Sequence, residues 1–247
     1  MTIELRGDVA IVRICGNGPE NRLTPGGCLS LHADLREAES SDAVRSIVLS
    51  GGPEAFCGGF DDAGVAEMKR AIAAVTALVD EAIGATTISH ATYLSAFPTL
   101  FSGRSSKPSI AAIRGPCLGV GLAIMGLHSD VRLCTPDARF GFPDTLTGIA
   151  GGIAAASALR MQIPFIHLNW LVETASIVNA GHAVRIGLVS NVVSPGELEA
   201  RALALATQAA ERYEMCREAK SKWWHGDVGF PPQAWPVTTT RCQQSDA

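Results

Sequence analysis

The sequence predicts an α/β fold, a single core of strands and helices followed by a helical C-terminal region, and three observations predict it. Short apolar runs recur along the first 134 residues, each set off by Gly, Pro, Asn or Asp. Segments with apolar positions at helical spacing alternate with them. From Pro195 to about Lys222 the chain turns rich in Ala, Leu and Glu, a composition that favours a long helix. A chain of 247 residues, 47% hydrophobic and 18% charged, can bury a substantial core, and no repeat or low-complexity linker divides it. The core is expected over residues 1–194 and a helical and irregular C-terminal segment over 195–247.

Taken in order, Thr2 to Leu5 and Val9 to Cys15 are β-type runs around the turn Arg6-Gly7-Asp8, which predicts a hairpin. Pro25 and Gly26 open a helical pattern carried by Leu29, Leu31, Leu35 and Ala38, and Arg45 to Leu49 is a short apolar strand. After the glycine-rich stretch 51–59 comes an Ala-rich region, about 63–103, predicted as two helices broken near Gly84 to Thr87. Pro108 to Arg114 reads as a buried strand, Gly119 to Leu127 as a short apolar helix and Asp130 to Cys134 as a third strand. Helices are predicted at 151–160, 164–175 and 178–186, a last strand at Leu188 to Val193, and an irregular tail from His225.

Composition excludes several classes. Seven cysteines at 15, 28, 57, 117, 134, 216 and 242 lack CxxC spacing, so neither a disulfide framework nor a zinc site is indicated. The six histidines are scattered without ligand spacing, and no metal is expected. A net charge of −4 provides no basic face for nucleic acid; the one dense basic cluster is Arg217, Lys220 and Lys222. The N-terminus shows no basic region followed by an apolar stretch, and no run is long enough to span a bilayer, so a cytoplasmic protein is expected.

Two glycine-rich turns carry the chemistry. Ala55-Phe-Cys-Gly-Gly-Phe-Asp61 follows the strand at 45–49, and Gly115-Pro-Cys-Leu-Gly-Val-Gly121 follows the strand at 108–114, each leading into a helix. A helix N-terminus leaves backbone N–H groups without intrahelical partners and carries partial positive charge. Two such turns side by side could offer converging donors to one developing anion, while either alone can be simply a tight turn. A dinucleotide-binding turn fits less well, because Ile124 stands where close helix packing needs a small residue. No Walker lysine, HExxH or G-x-S-x-G is present. Asp144 after Pro143 can be a turn or helix cap or an acid; Asp61 and Asp62 can cap the following helix or sit at a pocket rim.

The order of these segments resembles the crotonase superfamily, the enoyl-CoA hydratase/isomerase family. Ile47-Val-Leu-Ser-Gly-Gly-Pro-Glu-Ala-Phe-Cys-Gly-Gly-Phe-Asp61 is similar to that family's first oxyanion segment, and Lys107-Pro-Ser-Ile-Ala-Ala-Ile-Arg-Gly-Pro-Cys-Leu-Gly-Val-Gly121 to its second. Asp130 to Cys134, Ala138-Arg-Phe-Gly-Phe-Pro-Asp144 and Ala183 to Val193 follow in the family's order, and the resemblance covers about residues 1–215. It implies a crotonase-like spiral of ββα units, oxyanion donors at the N–H groups of Gly58 and Val120, and a catalytic acid at Asp144, one methylene shorter than the family's glutamate. Phe56, Cys57, Asp61, Gly119, Gly121, Phe142 and Arg22 fall on the substrate-binding positions. The acid usual after the second turn falls on Ala123 and is missing.

The activity so implied is enolate chemistry on an acyl thioester: double-bond hydration, dehydration or isomerisation, with coenzyme A entering as part of the substrate and no separate cofactor. The partner is an acyl-CoA or an acyl-carrier-protein thioester. A dehydratase or decarboxylase acting on carrier-bound chains is an alternative, because the first turn holds Glu54 where CoA-binding relatives often hold a lysine. Arg22 and the cluster at 217–222 could supply the missing charge. A non-catalytic, thioester-binding scaffold is the third reading, motivated by Ala123. The resemblance also implies a homo-oligomer, a trimer or hexamer, with the C-terminal segment forming subunit contacts or a lid.

Overall fold

The computed structural model describes residues 3–66, 69–70, 105–147 and 163–225. The predicted helices at 151–160 and over most of 63–103, and the irregular tail beyond His225, lie outside these residues.

Two sheets form the frame. The larger has six strands in the order β1 (Ile3–Arg6), β2 (Val9–Arg13), β3 (Ser46–Ser50), β4 (Ser109–Ile113), β6 (Val131–Cys134) and β9 (Asn191–Val192). The first pair is the expected antiparallel hairpin, with Ile3 opposite Val12, and every later pair is parallel. Between β4 and β6 the chain leaves to form β5 (Pro116–Leu118), which joins β7 (Arg139–Gly141) and β8 (Ile177–Asn179) in a three-stranded sheet.

Alternation along the strands gives the large sheet two apolar faces. Ala10, Val12, Ile47, Leu49, Ala111 and Ile113 point into the main core, shared with α1 (Pro25–Ser40) and α2 (Val120–His128). Val9, Val48, Ile110, Ala112 and Leu133 point the other way, where α5 (Leu198–Glu211) lays Leu198, Ala202 and Ala206 on them. Alanine at that four-residue spacing lets the helix approach closely, and Ser46 Oγ on β3 donates to the Ala206 carbonyl at 2.8 Å. The helix that follows residue 194 is thus packed on the sheet itself.

Three elements differ from expectation. The strand predicted at 188–193 pairs only over Asn191–Val192. The helix predicted at 178–186 is shorter, α4 (Ala180–Arg185), because Ile177–Asn179 pairs with β7 as β8 and the Asn179 side chain caps the helix through the His182 N–H. The single long C-terminal helix is two, α5 and α6 (Tyr213–His225), interrupted at Arg212. Between Thr147 and α4, the predicted helix at 164–175 is α3 (Phe165–Glu173).

Two buried lysines tie distant parts together. Lys107 Nζ donates to the carbonyls of Ala38 (2.9 Å) and Ser41 (2.6 Å), closing the C-terminus of α1. Lys220 of α6 donates to the Lys107 carbonyl (2.7 Å) and to Asp130 Oδ2 (2.8 Å), and Asp130 in turn accepts from the Ser109 N–H and hydroxyl, each at 2.9 Å. Lys220→Met keeps the apolar stem and removes the ammonium. We expect it to cost about 1–3 kcal/mol, since hydrogen bonds from a charged group are lost and the Lys107 carbonyl stays buried. Urea midpoints of the two proteins measure this; an unchanged midpoint would mean the tether contributes nothing.

Candidate active site

The site begins with a short parallel pairing. The segment carrying Ala55 to Gly58 runs beside β5, with Cys57 opposite Cys117. Cys57 N–H donates to Pro116 O at 2.9 Å and Leu118 N–H donates to Cys57 O at 2.9 Å. The two glycine-rich turns are therefore neighbours. Leu118 leads into Gly119, whose N–H bonds Gly141 O at 2.9 Å and whose φ of 52° belongs to the left-handed region that favours glycine. Gly119 is the N-cap of α2 and offers no side-chain cap, and among the described residues no acceptor takes the Val120 N–H. A Cβ on Gly121 would overlap the Cys57 carbonyl, so the helix end can approach the first turn only with glycine there.

The other donor is placed differently than expected. Gly58 N–H donates to the Glu20 carbonyl at 2.7 Å, and a Cβ on Gly58 would lie 2.8 Å from Glu20 Cβ. Gly58 is thereby committed to the loop formed by residues 16–22. That loop runs on against the same turn, with Leu23 N–H on Gly59 O (2.8 Å) and Asp61 N–H on Leu23 O (2.9 Å). A trans peptide sets its N–H opposite its carbonyl, so with Gly59 O facing the loop the Phe60 N–H is directed away from it. The geometry points to Phe60, not Gly58, as the first-turn amide directed away from the loop. Only the register against residues 20–23 decides this, and no local pattern carries it.

Asp144 lies between the turns. It sits in the 3-10 turn Pro143–Thr147; a Cβ on Gly119 would overlap its Oδ2, and a Cβ on Gly59 would lie 3.7 Å from its Oδ1. Burial raises its proton affinity above the usual aspartate range, and the Arg22 guanidinium opposes that rise. Arg22 is half exposed and donates from Nε (2.9 Å) and Nη2 (2.7 Å) to Glu20 Oε2. Ala123 is buried in the core. Among the described residues, Asp144 is thus the one carboxylate held between both turns.

The remaining expected residues divide. Gly119, Gly121 and Arg22 are at the site. Phe56, Cys57 and Phe142 are fully buried, so their side chains support the turns from the core. Burial pushes the Cys57 thiol up to about 12, which leaves it protonated and inert. Asp61 accepts the Gly64 N–H at 2.8 Å and caps the helical turn after the first glycine turn. The basic cluster does not converge on a ligand: Lys220 is buried on Asp130, and Arg217 pairs with Glu214 at 2.9 Å.

Asn21 carries a role the sequence did not reveal. Its φ of 53° is one asparagine tolerates, its Nδ2 donates to Ile14 O (2.9 Å) and Phe56 O (2.8 Å), and its Oδ1 accepts the Gly16 N–H at 2.6 Å. It clamps the loop to the first turn. The available signal was its position among turn residues, Gly-Asn-Gly-Pro-Glu-Asn, which marks a turn without saying what it grips.

Comparisons with known proteins give the family and the fold. The sequence model described as enoyl-CoA hydratase/isomerase matches residues 5–225. The chain is 31% identical over 212 residues to a glyoxysomal fatty acid beta-oxidation multifunctional protein of Brassica napus, covering 85% of this chain and 27% of that one. It spans only about a quarter to a third of the first multifunctional relatives it matches. It is also 31% identical to the (E)-benzylidenesuccinyl-CoA hydratase of Thauera aromatica, covering 85% of this chain and 76% of that enzyme. Among solved structures, carnitinyl-CoA hydratase from Mycobacterium avium superposes with a TM-score of 0.70 at 27% identity, covering 91% of this chain and 80% of that one. An enoyl-CoA hydratase/carnithine racemase from Magnetospirillum magneticum shares the fold, with a TM-score of 0.75 at 22% identity, covering 94% and 82%.

The state of Asp144 has a thermodynamic consequence. Its folded-state proton affinity is raised, so the stability linked to its neutral form is present below the ordinary aspartate range and is lost as pH rises through the folded value. Asp144→Asn keeps a neutral side chain at all pH. The variant is expected to melt higher than wild type at pH 7, and the difference should shrink as pH falls below about 4. Thermal melts at both pH values check the sign.

Proposed function

The chain belongs to the enoyl-CoA hydratase/isomerase family, and from that membership we propose that it binds an acyl thioester, stabilises its enolate at two backbone amides, and moves protons with Asp144. The observation that carries this reading is the placement of Asp144 between the two glycine turns, against Gly119 on one side and Gly59 on the other. The thioester oxygen would sit between the N–H groups of Val120 and Phe60. Negative charge developing on that oxygen during α-proton removal is met by amides already oriented, at the positive end of α2. A carboxylate of raised proton affinity, half withdrawn from water, both accepts the α-proton and returns it.

With Ala123 in the core and a single acid between the turns, proton transfer along the acyl chain, as in double-bond isomerisation, is better supplied than hydration, which needs a water oriented by a second acid. Relatives named as CoA hydratases support a CoA thioester, with CoA entering only as part of the substrate. Arg22, half exposed and paired with Glu20, is the cation we assign to the substrate's anionic groups. An acyl-carrier-protein thioester is the competing substrate; Lys220 and Arg217, expected to supply charge for phosphates, are engaged within the chain. No described helix is long and apolar enough to cross a membrane. We place the enzyme in the cytoplasm as a homo-oligomer, a trimer or hexamer.

The test is hydrogen exchange at the α-carbon of a panel of acyl-CoA and acyl-carrier thioesters in heavy water. Wild type should exchange at least one of them, and Asp144→Asn should be slower by about 10²–10⁴. Preference between the two carriers identifies the substrate class. Binding without exchange across a panel that includes activated thioesters would make the chain a thioester-binding scaffold and overturn the enzymatic reading.

A further inference from the structure

We propose that Arg132 is a positioning residue for the amide of Val120: its guanidinium grips the C-terminal end of α2 and so fixes where the N-terminal end of that helix stands. The inference rests on the function proposed above and deepens it, by naming what holds one of the two enolate-binding amides in place. Arg132 is buried on β6. Its Nε donates to Ser129 Oγ at 3.0 Å, its Nη2 to the carbonyls of Ser129 (3.2 Å) and Gly126 (3.5 Å), and its Nη1 to the carbonyl of Leu188 (3.2 Å). Ser129 is the C-cap of α2 and passes the contact on, since its hydroxyl donates to Met125 O at 2.5 Å. The last carbonyls of a helix have no intrahelical partner, and a buried end must find donors elsewhere. Here a guanidinium provides them, with its positive charge at the negative end of the helix dipole.

The body of α2 is apolar. Val120 to Leu127 are aliphatic side chains, a methionine and glycines, whose packing is non-directional. Polar and close contacts at the two ends are what set the helix along its axis. At the N-terminal end the Gly119 N–H bonds Gly141 O at 2.9 Å, and Gly121 lies against the Cys57 carbonyl. At the other end stands Arg132. Both ends are referred to the same pair of strands: β4 runs through Gly115 into β5 and so to Gly119, while Arg132 sits on β6 opposite Ala111 of β4. Its own backbone is held on both sides, the N–H on Ser190 Oγ (3.2 Å) and the carbonyl by the Ser190 N–H (2.8 Å). A nine-residue helix is about 13 Å long and stiff along its axis, so a shift at Gly126 is carried to Val120. Arginine suits this post because its planar fork meets several acceptors at once, whereas lysine offers a single ammonium.

The experiment uses the full chain labelled with 15N at valine, with the Val120 signal identified by its loss in Val120→Ile. Its position is compared in wild type, Arg132→Lys, Arg132→Gln and Ser46→Ala, the last a control that removes the Ser46–Ala206 bond on the opposite face of the sheet. Both Arg132 variants are expected to displace the Val120 amide signal, Arg132→Gln more than Arg132→Lys. Ser46→Ala should lower the melting temperature and leave that signal in place. On a thioester that wild type exchanges, kcat for α-carbon exchange should fall by roughly 10–10² in Arg132→Gln with KM nearly unchanged, because a displaced amide costs the transition state and not the bound ground state. An Arg132 that only supports the fold would change the melting temperature and leave the Val120 signal and kcat where they are; that result overturns the proposal, as does an equal displacement in Ser46→Ala. If Arg132→Gln does not fold, Arg132→Lys decides alone, and a Val120 signal coincident with wild type sinks the inference. Absence of exchange in wild type with the Val120 displacement intact would defeat the enzymatic reading and leave the placement standing. Exchange that needs Asp144, with Val120 unmoved by either Arg132 variant, would do the reverse.

Discussion

The interaction on which the site depends is the parallel contact of Cys57 with Cys117. It is only two hydrogen bonds long, yet it seats the end of one strand-to-helix turn against the start of another. The donors that the two turns bring side by side are then backbone amides, the Val120 N–H at the start of α2 among them. Backbone donors cannot adjust by rotamer, so their spacing must be set by packing. Phe56, Cys57, Phe140 and Phe142, all fully buried, supply that packing beneath the turns. Gly121 completes it, because any side chain there would push α2 away from the Cys57 carbonyl.

The same burial that fixes the amides creates an electrostatic problem for the acid. A carboxylate removed from water binds its proton more tightly, and Asp144 shows that rise. The Arg22 guanidinium of the loop formed by residues 16–22 opposes that rise, and the Glu20 carbonyl of the same loop accepts the Gly58 N–H, which closes that face of the turn.

Much of this was legible in the sequence, and what was not shares one physical cause. β1 to β4 and β6 of the large sheet alternate or run apolar over four or five residues, and they appear where the pattern placed them, whereas β9 is only Asn191–Val192. The three-stranded sheet was invisible, because Pro116–Leu118, Arg139–Gly141 and Ile177–Asn179 are three residues each and hold together by pairing with one another rather than by local preference. The resemblance to a family led to Val120 and Asp144, and the structure sets Asp144 against Gly119, the residue before Val120. It put the first donor on Gly58, since the direction of an amide in a turn depends on the register with a loop some 35 residues earlier. Lys220 and Asn21 belong with these: both grip backbone atoms far away in sequence, and a basic cluster or an asparagine in a turn says nothing about its acceptors.

The shortness of the acid and the openness of Gly119 are best understood together. Asp144 Oδ2 occupies the space a Cβ at residue 119 would need, so the carboxylate is already in contact with the turn that precedes Val120. A longer acid from the same 3-10 turn would have to fold back or displace the turn to place its oxygens there. Aspartate reaches the gap between the turns because the turn is glycine, and the glycine is demanded independently by a φ of 52°. The substitution that shortens the acid therefore does not withdraw it from the site. It brings the carboxylate oxygens close to the second turn, beside the N-terminus of α2, and with Ala123 in the core no carboxylate of α2 stands beside Asp144. Under the proposed function, a single acid so placed suits proton transfer from one carbon to another more than the holding of a water between two acids.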